Sequence, residues 1–427
     1  MRRLILDEFI TLKNIDVELN KLTVFIGPQA SGKSILAKLF YYFNEFALDI
    51  LFDCIKDNNR KQELDNQLIN KFKDLFSDVM WKDKSFNITF QYSDSHSITL
   101  NKPTERSTLK VELSEITKLF FVKSKKEFIK MQSESPLASL KSRRRDFNDF
   151  KFDVMTEIHN GNELLCFNAY IPAARAFFSV LSDRIFSAIN ESNTSDIMIA
   201  EFGHVYSFSK EVQEKNISTS LLEQIKKENA QHKENYDDID ELIYKVLKGK
   251  YVQINGDDFL ETEEGLLSIA HTSSGQQESL PLLLSMRMMT YFWRAYPQYY
   301  YIEEPEAHLF PEAQYDVLKI IALLSSFSNQ KHIVTTHSPY VLSAINNLIC
   351  LSNVSKLENG FAKLYSNGFN PDMAIDFSGV KAYSVNNGMV KSIIDEESGL
   401  IDADMIDSVS NVFGDEFDSL LDLMFEE

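Results

Sequence analysis

A chain of 427 residues is longer than one hydrophobic core usually supports, which excludes a minimal single-domain protein and predicts two or three units. Apolar residues make up 44% of the chain, yet no apolar run reaches the ~20 residues that span a bilayer, so we expect a soluble protein without membrane contact. The formal net charge of -19 excludes a surface that attracts nucleic acid uniformly, because most of it would repel phosphates.

The start of the chain, residues 1–20, alternates polar and apolar side chains like a strand. It lacks the unbroken apolar stretch of a secretion signal, so we expect a cytoplasmic protein. The three cysteines, Cys54, Cys166 and Cys350, lie far apart and match neither a disulfide framework nor a metal-ligand spacing. We interpret them as buried or incidental thiols.

The most specific motif, G-x-x-x-x-G-K-S, follows a predicted strand at 22–26 and precedes a helical run. Its glycines allow backbone N–H groups to surround phosphates, and the helix presents its positive end to the same anion. Lys33 would neutralise the β and γ phosphates, and the Ser34 hydroxyl is the expected Mg²⁺ ligand. We therefore predict a site for ATP and Mg²⁺ at Gly27, Pro28, Gln29, Ala30, Ser31, Gly32, Lys33 and Ser34.

The middle of the chain carries two further patterns before the next motif. Alternating runs within 84–122 predict strands, and nine basic residues against two acidic ones follow between Lys118 and Arg145. This basic run is a possible DNA contact, although a solvated face explains such a run equally well. Residues 205–248 have apolar positions at helical spacing and predict a short hairpin, too short at ~30 Å per arm to tether distant DNA segments.

Two strand ends and a helix start carry the remaining candidate residues. The segment HTSSGQQE ends at Glu278 before a helical run, where free N–H groups suit a γ-phosphate, although a plain helix cap would look the same. In YYYIEEPEAHLFP, Glu303 can face Mg²⁺ while Glu304 orients or deprotonates the attacking water, the alternative being a solvated acidic turn. The strand of KHIVTTHS ends in His337, a candidate γ-phosphate contact.

The order of these four motifs resembles that of ABC-type ATPases of the SMC, RecF and OLD group, including AAA_15-like and AAA_21-like bacterial ATPases. The resemblance implies an α/β fold: an ABC-type head with a mixed β-sheet flanked by helices, an antiparallel β lobe and a short helical insertion. It also implies that Ser274, Gly275 and Gln277 form the signature that one subunit presents to the nucleotide of another. The nucleotide would then lie between two subunits of a homodimer or a larger homo-oligomer.

The same resemblance assigns the acidic pair and the histidine. Glu303 falls on the acidic strand's Asp, Glu304 on the catalytic Glu and His337 on the switch histidine. Two departures, Glu303 for Asp and Gln276 for the second signature glycine, both occur in the OLD-like branch. The glutamine loop of the family has two candidates, Gln91 and Gln132, neither in a convincing context.

The segment YIPAARAFF resembles a strand end of small bacterial ATPases in this branch, many of which belong to phage-defence systems such as PARIS. Its Arg175 could contact nucleotide or a partner, or form a buried ion pair. Such ATPases often control a separate effector, a nuclease or toxin. Three outputs therefore remain open for this chain: a defence sensor, a DNA repair or recombination ATPase, and an ATP-bound scaffold with little hydrolysis.

The motifs divide the chain into six predicted segments. The first three are an ATPase lobe with the phosphate loop (1–50), a β lobe with the basic run (51–164) and a return to the ATPase core (165–204). The last three are a helical hairpin (205–250), an ATPase lobe with the signature, acidic strand and switch histidine (251–365) and an acidic C-terminal region (366–427).

The acidic C-terminal region contains Asp402 and Asp404, a D-x-D pair that could bind a metal. Only 90 residues follow His337, however, which is few for a further α/β domain of ~100 residues. We therefore interpret the twelve acidic residues from Asp395 to Glu427 as a solvated face and expect no intrinsic nuclease.

Overall fold

The computed structural model describes residues 2–134, 150–151, 167–180, 196–214, 233–254, 256–293, 298–327 and 330–402. Several sequence features lie outside these residues. They are Cys166, the end of the basic run with Lys141, Arg143, Arg144 and Arg145, the middle of the predicted hairpin at 215–232, and the acidic tail at 403–427 with Asp404.

Ten α-helices lie within the described ranges, and a π-helical turn at Tyr42–Ala47 joins the first two. The helices are α1 Lys33–Tyr41, α2 Leu48–Lys56, α3 Lys61–Leu75, α4 Glu115–Glu134, α5 Ile197–Glu214, α6 Lys233–Leu247, α7 Ser274–Trp293, α8 Pro311–Phe327, α9 Pro339–Ser355 and α10 Gly360–Ser366.

Sixteen strands occur in the same part of the chain and form four sheets. The strands are β1 Arg3–Asp7, β2 Ile15–Glu18, β3 Leu22–Ile26, β4 Phe86–Gln91, β5 Ser97–Lys102, β6 Lys110–Leu113, β7 Phe167–Ile171, β8 Lys250–Ile254, β9 Asp257–Thr262, β10 Gly265–Ser268, β11 Gln298–Glu303, β12 Gln330–Thr336, β13 Val380–Asn386, β14 Met389–Ser392, β15 Ile394–Asp395 and β16 Leu400–Ile401.

The main sheet has six strands in the order β14-β13-β3-β12-β11-β7, all parallel except β14. Its central strands are buried on both faces, as expected where helices cover a parallel sheet on either side. Successive side chains alternate between two cores: Tyr299 and Tyr301 face one, and Tyr300 and Ile302 face the other. Because these strands are parallel, their carboxyl ends lie along one edge of the sheet.

A separate antiparallel sheet, in the order β2-β1-β4-β5-β6, forms the β lobe. Side chains of β4 and β5 alternate strictly between buried and half-buried positions, which is the pattern of a sheet with one face on a core. Under that face lies an aromatic cluster in which Phe9 contacts the rings of Phe72, Phe76 and Phe86 at centroid distances of 5.1–5.5 Å. The predicted mixed sheet and antiparallel lobe are both confirmed.

Two segments named in the sequence contribute to the cores. Tyr206 on α5, and Tyr236 and Leu242 on α6, are buried in the core that α7 and α8 share, so the described parts of the predicted hairpin pack onto the head. The predicted C-terminal region supplies β13 and β14 to the main sheet. Among the described helices, none combines the length and apolar content needed to cross a membrane.

Candidate functional site

The phosphate-loop motif connects β3 to α1 and is folded tightly against neighbouring segments. A side chain at Gly27 would place its Cβ 2.0 Å from the Val385 carbonyl oxygen of β13. Gly32, the residue before α1, has φ 108°, a conformation that L side chains rarely adopt. Both glycines are therefore required by the backbone path that leads from β3 into the N-terminus of α1.

Lys33 lies inside this loop and is only 5% exposed. Its Nζ donates to the carbonyl oxygens of Gly27 and Pro28, each at 2.8 Å, and lies 3.3 Å from His337 Nδ1. Burial lowers the pKa of this ammonium below its ordinary value, while the carboxylate of Glu304 opposes that shift. The phosphate loop thus holds a buried positive charge, the Lys33 ammonium, next to the acidic strand end.

Glu304 follows β11 directly and adopts a left-handed backbone conformation with φ 43°. Its N–H donates to the Thr335 carbonyl of β12 at 2.8 Å, and its carboxylate oxygen lies 2.9 Å from His337 Nε2. The imidazole of His337 therefore stands between the ammonium of Lys33 and the carboxylate of Glu304. Three motifs that are far apart in the sequence meet at the carboxyl ends of β3, β11 and β12.

Glu303, the last residue of β11, is 8% exposed and anchored toward β7. Its two oxygens accept hydrogen bonds from the Tyr170 hydroxyl at 2.8 Å and from the Ala173 N–H at 3.2 Å. The negative charge of Glu303 is one of those that raise the pKa of the Lys33 ammonium. Ser34 is exposed in the first turn of α1. A carboxylate and a hydroxyl at this sheet edge are oxygen donors of the kind that Mg²⁺ takes together with phosphate and water.

The signature segment forms the first turn of α7, with Ser274 exposed at its first residue. A Cβ at Gly275 would lie 2.7 Å from the His308 carbonyl oxygen, so this turn packs directly against the loop after the acidic strand. The Gln277 amide donates to carbonyls of the preceding turn, including Thr272 O at 3.1 Å. Within the described chain, no hydrogen bond joins Ser274, Gly275 or Gln277 to the phosphate loop.

Gln276 occupies the position of the second glycine in the related signature, and its side-chain amide forms hydrogen bonds on both sides. Its amide oxygen accepts from the Ser273 N–H and hydroxyl, both at 2.9 Å, and its amide nitrogen donates to Leu247 O at 2.6 Å. Gln276 therefore ties the signature turn to the end of α6.

Sequence reasoning missed Tyr170, Glu278 and Glu306. The Glu306 carboxylate is buried and accepts from the Thr336 hydroxyl and the His337 N–H, so it fixes the end of β12. Arg175, which the sequence left open, forms a buried ion pair with Glu278. The only sequence signal for Glu306 was its acidic side chain close to the Glu303–Glu304 pair. Its hydrogen bonds to the end of β12 could not be inferred from the sequence.

The glutamine-loop candidates and the basic run lie on other elements. Gln91 ends β4 opposite Arg3, and Gln132 is exposed on α4. On α4, Lys118 pairs with Glu115 at 2.6 Å, Lys123 lies 3.9 Å from Glu127, and Lys125 donates to the Asn59 carbonyl. The first three lysines of the run thus already have acceptors within the protein.

A family model described as the AAA ATPase domain, AAA_15, matches residues 1–342. No curated protein matches the sequence significantly. Solved structures that match include an SMC head bound to the C-terminal winged-helix domain of ScpA, at 13% identity over 93% of this chain and 98% of that one, with a TM-score of 0.38. The SMC head domain from Thermotoga maritima matches at 12% identity over 92% and 97%, with a TM-score of 0.36. The family match covers the phosphate loop, the signature, the acidic strand and His337, and the chain belongs to the AAA_15 family of AAA ATPase domains.

Proposed function

We propose that the protein is an ABC-type switch that binds and hydrolyses ATP between two subunits. The observation that carries the proposal is the convergence of Lys33, His337 and Glu304, joined by contacts of 3.3 and 2.9 Å at the carboxyl edge of the main sheet. A crevice at that edge is where ligands of open α/β sheets bind. A lysine that can bind phosphates and a carboxylate that can position the attacking water are recurring parts of phosphoryl-transfer sites, and both lie at that edge.

Each residue has a role that follows from its position. The Lys33 ammonium would exchange the carbonyls of Gly27 and Pro28 for the β and γ phosphates, while the N–H groups of the phosphate loop surround them. Ser34 and Glu303 would hold Mg²⁺, which neutralises phosphate charge when bound. Glu304 would orient the attacking water and accept its proton. His337 would contact the γ-phosphate and keep Glu304 aligned.

The signature segment completes the site from a second subunit. Ser274 is exposed and stands at the start of α7, so its N–H groups and helix dipole are available to another molecule. Two-fold pairing of two chains would place each signature over the partner's nucleotide and create two equivalent sites. Hydrolysis would then reopen the interface, so the free energy of ATP drives a conformational switch.

We propose a phage-defence sensor controlling a separate nuclease or toxin as the output. Three features support a compact regulator rather than a protein that tethers DNA segments: the YIPAAR segment, the net charge of -19, and the packing of α5 and α6 onto the head. Purification with its genetic neighbours, with and without ATP, tests this output. An ATP-dependent complex with an effector is expected, whereas specific DNA retention without one would favour the repair reading.

Glu304→Gln tests the hydrolytic site itself. The amide keeps the size of the side chain but cannot accept the proton, so the variant should bind ATP with near wild-type affinity, accumulate as a dimer and lose about 10²-fold or more in turnover. Glu312→Gln, an exposed carboxylate at the start of α8, is the matched control and should hydrolyse normally. Wild-type turnover by Glu304→Gln would refute the assignment of the catalytic base.

A further inference from the structure

A fully buried arginine lies between the signature helix and the acidic strand end. Arg175 follows β7 and is 0% exposed. Its guanidinium donates to the backbone carbonyls of Pro172 at 3.1 Å, Glu303 at 2.6 Å and Glu304 at 3.0 Å. A buried arginine is costly unless its donors are satisfied, and here two of its hydrogen bonds go to the backbone carbonyls of the proposed catalytic residues Glu303 and Glu304.

The other side of this guanidinium is held by the signature helix. Glu278, in the first turn of α7, lies 3.3 Å from Arg175 Nε and accepts the backbone N–H groups of Arg175 at 3.0 Å and Ala176 at 2.8 Å. A second bond joins the same segments, since the Ser179 hydroxyl donates to the Gln277 carbonyl at 2.9 Å. The turn after β7 and the start of α7 are therefore joined by this ion pair and these three hydrogen bonds.

The carbonyl that Arg175 binds belongs to a residue in a strained conformation. A φ of 43° is unfavourable for a glutamate and persists only where the surroundings impose it. The Glu304 N–H is fixed by Thr335 O at 2.8 Å, and its carbonyl accepts from Arg175 and from the Ala307 N–H, each at 3.0 Å. These bonds hold the backbone on both sides of the side chain that stands 2.9 Å from His337, and Arg175 supplies the one that comes from a side chain.

We infer that Arg175 is a positioning residue that holds Glu304 in its catalytic conformation and, through Glu278, ties it to the signature segment of the same chain. This inference rests on the proposed function. Because the signature would close over the partner's nucleotide while Glu304 acts on the chain's own, the Arg175–Glu278 pair connects the two composite sites of a dimer. Because Arg175 is fully buried and bonds the carbonyls of Glu303 and Glu304, it acts through their backbone.

Steady-state ATP hydrolysis by Arg175→Met, Arg175→Lys and Glu278→Gln tests the inference. Arg175→Met should lower kcat about 10²-fold, since a misplacement of 1 Å has roughly that effect, and should leave KM for ATP within about two-fold. Arg175→Lys should recover only part of this loss, because an ammonium cannot reproduce the planar fork. Glu278→Gln keeps the volume and an acceptor oxygen, so it tests the link even if Arg175→Met fails to fold.

A matched control is available in the buried ion pair of Lys210 and Asp258, 2.8 Å apart between α5 and β9. Asp258→Asn removes a charge in the same way but away from the nucleotide elements. It should lower the melting temperature like Glu278→Gln and retain wild-type kcat at temperatures where both are folded. If both variants lose kcat in proportion to stability, Glu278 has a merely structural role and the inference fails.

Combination with Glu304→Gln separates positioning from general damage. In single-turnover assays with labelled ATP, Arg175→Met should slow Glu304→Gln by less than about three-fold, because the group that Arg175 positions is already absent. A further 10²-fold loss in that background would overturn the inference. Wild-type kcat in both Arg175→Met and Glu278→Gln, with Glu304→Gln inactive, would also overturn the inference. That result would leave the proposed function intact. Absence of hydrolysis by the wild-type protein would instead refute the proposed function.

Discussion

Gly27→Ala tests whether the phosphate loop depends on the C-terminal strand β13. The added Cβ would lie 2.0 Å from Val385 O, whereas Cβ contacts below 3.0 Å essentially do not occur, so the loop or β13 must move by about 1 Å. Because neither partner is a flexible side chain, the shift displaces the backbone that surrounds the phosphates. We expect about a 10²-fold loss in kcat/KM and a loss of about 1–3 kcal/mol in the free energy of unfolding.

The assay is a titration with a fluorescent ATP analogue followed by steady-state hydrolysis. Gly379→Ala is the control, since its Cβ would meet Lys21 side-chain atoms at ordinary contact distances of 3.4 and 3.7 Å. This control should bind and hydrolyse ATP like the wild-type protein. Wild-type affinity and turnover in Gly27→Ala would show that the loop does not rest on β13 in solution, and the description of the site would then be wrong.

Two further predictions concern subunit sharing and pH. Lys33→Ala and Ser274→Arg should each be inactive as homodimers, but an equal mixture should recover about a quarter of wild-type turnover, because half the dimers are mixed and one of their two sites is intact. No recovery despite proven subunit exchange would count against independent composite sites. Burial lowers the pKa of His332 to about 3, and the unfolded side chain titrates near 6.5. The unfolded state therefore gains the proton first, so the contribution of His332 to stability is full above pH 6.5 and declines as the pH falls toward 3. Between pH 6.5 and 4.5 this should remove about 2 kcal/mol. Urea titrations of His332→Asn should lack that part of the decline.

Local features of the site could be predicted from the sequence because each depends on neighbours in the chain. The glycines of the phosphate loop, the strand before it and the helix after it all appear within a few residues. The end of β11 at Glu303 could be predicted for the same reason, because the apolar run stops there at two adjacent glutamates. The predicted strand at 22–26 coincides with β3, and β11 ends at Glu303.

The contacts that complete the site could not be predicted, because they join segments with no shared periodicity or spacing. The pairing of β7 with β11 brings Tyr170 to Glu303, and the packing of α7 brings Glu278 to Arg175. For Arg175, contact with nucleotide or a partner and a buried ion pair were equal readings, because the sequence does not show which carboxylate lies nearby. Only tertiary structure distinguishes them.

The placement of β3 has a consequence for the order in which the protein is made. Both neighbours of β3, namely β12 and β13, begin at Gln330 and Val380, 304 and 354 residues after Ile26. During synthesis, the strand that carries the phosphate loop therefore emerges before its sheet partners and remains without them until β12 and β13 have been translated. Such non-local pairing is slow and leaves an apolar edge exposed to aggregation. Nucleotide-binding competence would therefore be acquired only after β13 has been translated, and a nascent chain should depend on chaperones until β13 has formed.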